Sequence, residues 1–181
     1  MKVYVLLADG FELIEAMAPV DVFRRAGVEV VTLSIGADRN VCSSNGVNVQ
    51  ADSLMSGTDL SDGDALVLPG GYPGYEHLRT SRAVGETARC YLAEGKQLGA
   101  ICAAPIVLQE YGIGVGRRVT SHTCVREQMT DFVHTGRPVE RDGNLVTAIG
   151  AGYALAFAFA LLEALCGAEA VGKVKPGMEL R

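Results

Sequence analysis

The sequence predicts a three-layer α/β sandwich around a mainly parallel sheet. Three observations carry that reading. Short apolar runs suited to buried strands alternate with helical stretches, as βα units do. The runs are apolar throughout, as strands covered on both faces require. With 49% hydrophobic residues in 181, the chain holds enough apolar material for one well-filled core, and a single domain spanning 1–181 is expected.

In chain order, residues 2–7 read as a strand, 12–26 as a helix closed by Gly27, and 28–35 as a second strand, together a βαβ unit. Residues 41–43 and 47–50 flank Ser44-Asn45-Gly46, an Asn-Gly turn signal, and predict a small hairpin at a sheet edge. Residues 65–68 form a strand ending in Pro69-Gly70-Gly71, 82–94 a helix, and 97–101 a strand delivering Cys102 to a helix over 103–111. A brief strand at 119–120, a helix at 123–130, strands at 139–140 and 145–149 around Asp142-Gly143, and a last helix at 153–166 complete the chain. The architecture is flavodoxin-like. Its ligand edge, at the carboxyl ends of the strands, gathers the loops at 8–15 and 69–75 and the Cys102 turn.

Charge and cysteine usage narrow the function classes. A net charge of −5 leaves no basic stripe for nucleic acid or an anionic membrane surface. The longest apolar run, 150–162, falls well short of the ~20 residues of a membrane-spanning helix. Five cysteines without a C-x-x-C pair suggest neither a zinc site nor a disulfide framework, and point to a reducing cytoplasm. Asp9, Glu12 and Glu15 crowd the loop where a flavin phosphate would bind, and Leu68-Pro69 stands where a receiver domain needs an aspartate. FMN binding and phosphoryl transfer are therefore disfavoured.

Cys102 sits where an apolar strand gives way to a helix, flanked by Gly99, Ala103 and Ala104. That is the setting of a nucleophile elbow. A helix N-terminus there would lower the thiol pKa, whereas an ordinary buried cysteine would be inert. The remaining cysteines are read as small buried hydrophobes, with Cys42 and Cys124 the first exceptions. Pro19 cannot accept the role of donor to the Glu15 carbonyl, so distortion is expected at Glu15. That residue is either an exposed helix carboxylate or an inward one, protonated and donating to the Cys102 sulfur. Gly70 and Gly71 allow close backbone approach, and the Gly71 and Ala103 amides could stabilise an oxyanion. His122 could serve as acid, base or orienter, or be merely structural. His77 and His134 lack metal-site spacing.

Taken together, Glu15, Pro69-Gly70-Gly71, Ala100-Ile101-Cys102-Ala103-Ala104-Pro105 and Thr120-Ser121-His122 resemble the ThiJ/PfpI superfamily, in its DJ-one branch. The resemblance extends to Pro19-Val20-Asp21-Val22-Phe23-Arg24-Arg25-Ala26-Gly27 and Glu163-Ala164-Leu165. It implies a flavodoxin-like homodimer with a reactive Cys102 at a strained elbow, a carboxyl partner in Glu15, a nearby His122, and backbone donors at Gly70, Gly71 and Ala103. The activity it implies needs no cofactor. It is cysteine-dependent chemistry on small reactive carbonyls, converting methylglyoxal to lactate without glutathione or releasing glycation adducts from thiols and amines. An oxidative-stress chaperone or redox sensor carrying a Cys102 sulfinate is the alternative, and a domain without activity of its own a third. Peptidase and amidotransferase activity are disfavoured, because Ala103 replaces the histidine that follows the cysteine in PfpI-type proteases and Gly150-Ala151-Gly152-Tyr153 contains no His-x-Glu.

Overall fold

A computed structural model describes residues 1–180. Strand β1 (Lys2–Leu7) leads into α1 (Leu13–Arg25), and β2 (Glu29–Ser34) returns parallel to β1, with Lys2 opposite Glu29 and Leu7 opposite Ser34. Then come β3 (Asn40–Cys42), β4 (Asn48–Gln50), β5 (Ser53–Leu54), β6 (Ala65–Leu68), α2 (Gly74–Thr80), α3 (Arg82–Ala93) and β7 (Gln97–Ile101). The chain continues through α4 (Ile106–Glu110), β8 (Arg118–Val119), α5 (Thr123–Arg126), β9 (Val133–His134), β10 (Val139–Asp142) and β11 (Leu145–Ala148). A 3-10 turn at Ala151–Tyr153, α6 (Ala154–Cys166), α7 (Ala168–Val174) and a second 3-10 turn, Lys175–Met178, follow.

The main sheet runs β10-β11-β7-β6-β1-β2-β5, parallel except for β10. Side-chain alternation along its central strands divides the core in two. Tyr4 and Leu6 of β1 pack with Val84 and Ala88 of α3 and Ile106 of α4, while Val3, Val5 and Leu7 pack with Phe23 of α1 and Phe157 and Leu161 of α6. Burying each such side chain contributes about 1.5–3 kcal/mol, against about 0–1 kcal/mol for an exposed ion pair such as Arg82–Glu86. The two apolar layers therefore hold the sheet. Gly99 of β7 is one place where a side chain would not fit, since a Cβ there would lie 2.7 Å from Leu161 Cδ1.

The sheet and its flanking helices match the sequence expectation, with local differences. The hairpin forms, with Gly46 at φ +79°, but it is a separate two-stranded ribbon bridged at Ser43 to Phe11. The sheet edge goes instead to β5, fixed by Asp52, whose Oδ2 accepts from both the backbone N–H and the hydroxyl of Thr32. Residues 103–105 form turns, so α4 starts at Ile106 and runs only 5 residues. Helix α5 is likewise confined to 4 residues. Helix α6 is not the last: Gly167, at φ +84°, ends it and opens α7. Pro19 does not break α1, which continues through it, consistent with the loss of one backbone bond from a helix packed on α6.

Candidate active site

Neighbours β1 and β6 feed connections that leave the sheet in opposite directions, which opens a crevice at their carboxyl ends. Glu15 stands on α1 just past β1, Gly70-Gly71 follow β6, and Cys102 follows β7. Glycine is required where these loops meet. Gly71 has φ +92°, and a Cβ on it would lie 2.2 Å from the Glu12 N and 2.4 Å from the Gly10 O. A Cβ on Gly70 would lie 2.7 Å from Cys102 Cβ, 2.8 Å from Glu15 Oε2 and 3.2 Å from Cys102 Sγ. The bare backbone of Gly70 is thus the surface that lets thiol and carboxyl share one site.

Cys102 has φ +64°, in the left-handed region that costs a side-chain-bearing residue roughly 1–3 kcal/mol. Two long-range backbone bonds hold it there. Its N–H donates to the Ala148 carbonyl of β11 at 2.9 Å, and its carbonyl accepts from the His122 N–H at 2.7 Å. The nucleophile elbow is therefore formed, although the short α4 begins four residues beyond the cysteine.

Of the two readings of Glu15, the structure selects the inward one. The residue is fully buried, and its Oε2 accepts from the Gly70 N–H at 2.8 Å. Its Oε1 is also buried and has no hydrogen-bond partner among the described residues. Burial pushes its carboxyl up to about 7, opposed by the Gly70 amide and the neighbouring Cys102. The expectation for Cys102 is overturned in direction. Burial, then the charge of an ionised Glu15, push the thiol up to about 12, and the Ala103 amide beside the sulfur opposes them only in part. Loss of water around the sulfur outweighs one amide and a five-residue helix. The two groups are best treated as a unit: between these two values they hold a single proton, and protonating Glu15 removes the charge that holds the thiol proton in place.

The backbone donors divide in a way the sequence does not disclose. The Gly70 amide is committed to Glu15, so its expected place among the oxyanion donors is not available. The Gly71 amide has no acceptor among the described residues, and the Ala103 amide faces the sulfur. His122 caps α5, its Nδ1 accepting from the Cys124 N–H at 3.2 Å, which leaves Nε2 to carry the proton of the neutral ring. A Cβ on Gly150 would lie 3.8 Å from His122 Cδ2 and 3.9 Å from Cys102 Sγ, so Gly150 is the floor between imidazole and thiol. Sequence reasoning passed over Gly150; its position just after β11, at the same sheet end, is the signal that could have found it. Cys124 is exposed and Cys42 half-buried, the two exceptions expected, while Cys90 is exposed and Cys166 half-buried, against the buried reading given to them. No group of three or more His, Cys, Asp or Glu side chains is arranged for a metal among the described residues, and no helix there is long and apolar enough to cross a membrane.

Comparison with known proteins gives the family and the fold. The model of the DJ-1/PfpI family matches residues 1–164. The Drosophila melanogaster protein DJ-1alpha is 36% identical over 177 residues, covering 96% of this chain and 82% of the relative. The crystal structure of Drosophila melanogaster DJ-1beta superposes with a TM-score of 0.95 at 33% identity, covering 99% of this chain and 98% of that one. A structure described as oxidized DJ-1 from Toxoplasma gondii gives 0.92 at 35% identity, with 99% and 98% covered. A cysteine at a strained elbow, paired with a buried carboxyl at the switch point of a flavodoxin-like sheet, is the centre of this chain, which belongs to the DJ-1/PfpI family.

Proposed function

We propose that this protein is a cofactor-free, cysteine-dependent enzyme acting on small reactive carbonyls, a lyase or hydrolase whose simplest reaction adds water to methylglyoxal to give lactate. One observation carries the reading: a half-buried thiol and a fully buried carboxyl meet against the bare backbone of Gly70. In the reactive arrangement the proton sits on Glu15 and the sulfur is a thiolate. The sulfur adds to the aldehyde carbon, and the proton from Glu15 passes to the new hydroxyl, giving a hemithioacetal. His122 and Glu15 then move the proton on that carbon to the adjacent carbonyl carbon by way of an enediol, which leaves a lactoyl thioester. Water cleaves the thioester, releasing lactate and restoring the thiol. The Gly71 and Ala103 amides supply donors for the oxyanions formed on the way. Glycated thiols and amines would enter as the same hemithioacetal or aminocarbinol chemistry run toward release.

The test is NMR detection of lactate from methylglyoxal without glutathione, comparing the protein with Cys102→Ser. Lactate from the first and none from the second is expected; equal yields would overturn the mechanism. A second reading, oxidation of Cys102 to a sulfinate for redox sensing or chaperone action, is favoured by the oxidized state described for the Toxoplasma gondii relative. Mild peroxide followed by mass spectrometry decides it, with selective addition of two oxygens at Cys102 as the supporting outcome. For assembly we propose a homodimer. Ile14, Tyr153 and Leu155 are exposed large apolar residues, and Ile14 and Leu155 line a groove between α1 and the start of α6. Ile14→Asp should convert the dimer to monomer in sedimentation equilibrium.

A further inference from the structure

Beside His122, and outside the contacts that join Cys102 to Glu15, lies a second cavity of about 240 Å3. Its polar wall is formed by Thr120, Ser121 and His122 from the segment between β8 and α5, Thr123 and Arg126 at the two ends of α5, and His134 of β9. No carboxylate contributes to the wall. Arg126 has no carboxylate partner among the described residues, whereas the nearby Arg118 and Arg137 both pair with Glu140. One guanidinium, two imidazoles and three hydroxyls thus surround a space without a compensating negative charge.

A second observation points the same way. Thr120 is 1% exposed, and its Oγ1 has no hydrogen-bond partner among the described residues, although its N–H donates to Thr147 Oγ1. A buried hydroxyl left unpaired costs about as much as a lost hydrogen bond, so the fold leaves a polar group of this wall unsatisfied. Ser121 Oγ lies 3.5 Å from His134 Nε2, which brings two more polar groups to the same wall. Burial and the Arg126 charge hold the His134 imidazole below its ordinary range, the imbalance that a negative charge between them would relieve.

We propose that this cavity binds a small oxyanion, a carboxylate or a phosphate, with Arg126 as its charged partner and the exposed hydroxyl of Thr123 and the imidazole of His134 as further donors. The volume is below the roughly 300–1,000 Å3 of pockets that enclose drug-sized ligands, which limits the occupant to a compact anion or the anionic end of a larger molecule. Because His122 belongs to this wall and also bonds the Cys102 carbonyl, an occupant lies next to the active site without using the thiol.

The chain has three histidines, His77, His122 and His134, so imidazole NMR signals report the site directly. Inorganic phosphate and acetate are titrated separately at constant ionic strength. Saturable shifts of His122 and His134, with His77 unmoved, are expected for phosphate, for acetate or for both, and the anion that saturates names the oxyanion class. Arg126→Ala should weaken that binding about ten-fold or more, the scale of one charge-assisted hydrogen bond, while Arg82→Ala, an exposed cation elsewhere, should leave it unchanged. Arg126→Lys, which keeps the charge, should recover part of the affinity. Shifts that never saturate, that affect all three histidines alike, or that survive Arg126→Ala would overturn the proposal. No turnover is measured, so the result is independent of whether methylglyoxal yields lactate.

Discussion

Two cysteines stand near the starts of two short helices, and they have little else in common. Cys102, ahead of α4, is half-buried, has φ +64°, and meets a buried carboxyl. Cys124, in the first turn of α5, is exposed with an ordinary backbone, and burial pushes its thiol upward. If proximity to a helix start made a cysteine reactive, Cys124 would be the better nucleophile, being the more accessible. What separates them is the partner. Glu15 is buried beside Cys102 and close enough to exchange a proton with it, whereas Glu76 acts on Cys124 only through its charge.

The sharpest way to break this contrast is to separate thiol from carboxyl without touching either. Gly70→Ala inserts a methyl 2.7 Å from Cys102 Cβ and 2.8 Å from Glu15 Oε2, and should lower kcat/KM for methylglyoxal by about 100-fold, since small misplacements of reacting groups cost that much. Gly172→Ala, where a Cβ meets nothing, should leave it unchanged.

Glu15→Gln comes next and is read in stability. Burial raises the Glu15 carboxyl from its ordinary 4.5 to about 7, so the folded chain binds this proton more tightly than the unfolded one. The resulting stability is complete below pH 4.5 and is lost as pH rises through 7. Urea unfolding should therefore show the parent losing about 3 kcal/mol between pH 4 and pH 8 that the glutamine variant keeps. A flat difference between the two would mean that Glu15 is not a buried titrating group.

A smaller effect follows for rate against pH. The thiolate becomes available once the pair drops to one proton, so kcat/KM should rise through about pH 7 and at pH 6 stand about ten-fold below its plateau. Smallest of all, Cys124→Ser should change kcat/KM less than about two-fold, the scale of an exposed substitution. A large loss there would erase the distinction between the two turns.

The sheet was readable because its central strands are short, wholly apolar runs, and β1, β6 and β7 begin and end where the pattern does. Strands β5 and β9, of two residues each, carry no such pattern and exist through long-range pairing with β2 and β8. Helix α2 was hidden because its start at Gly74 lies in the same Pro- and Gly-rich stretch that reads as a loop. Cys102, Glu15 and His122 stood out by residue type and place. The use of the Gly70 amide did not, because its acceptor is 55 residues away. Nor did the direction of the thiol shift, which depends on how much water the finished fold removes from the sulfur.

The backbone at Cys102 is tied on one side to β11 and on the other to the segment that opens α5, two parts of the chain that follow it in sequence. The cysteine-bearing turn is therefore built before the groups that hold it in its left-handed form have been synthesised. Until β11 is in place, a nascent or partly opened chain carries an unstrained thiol with no fixed bearing on Glu15. The left-handed turn at Cys102 is thus a property of the completed molecule, set by contacts with chain that follows it.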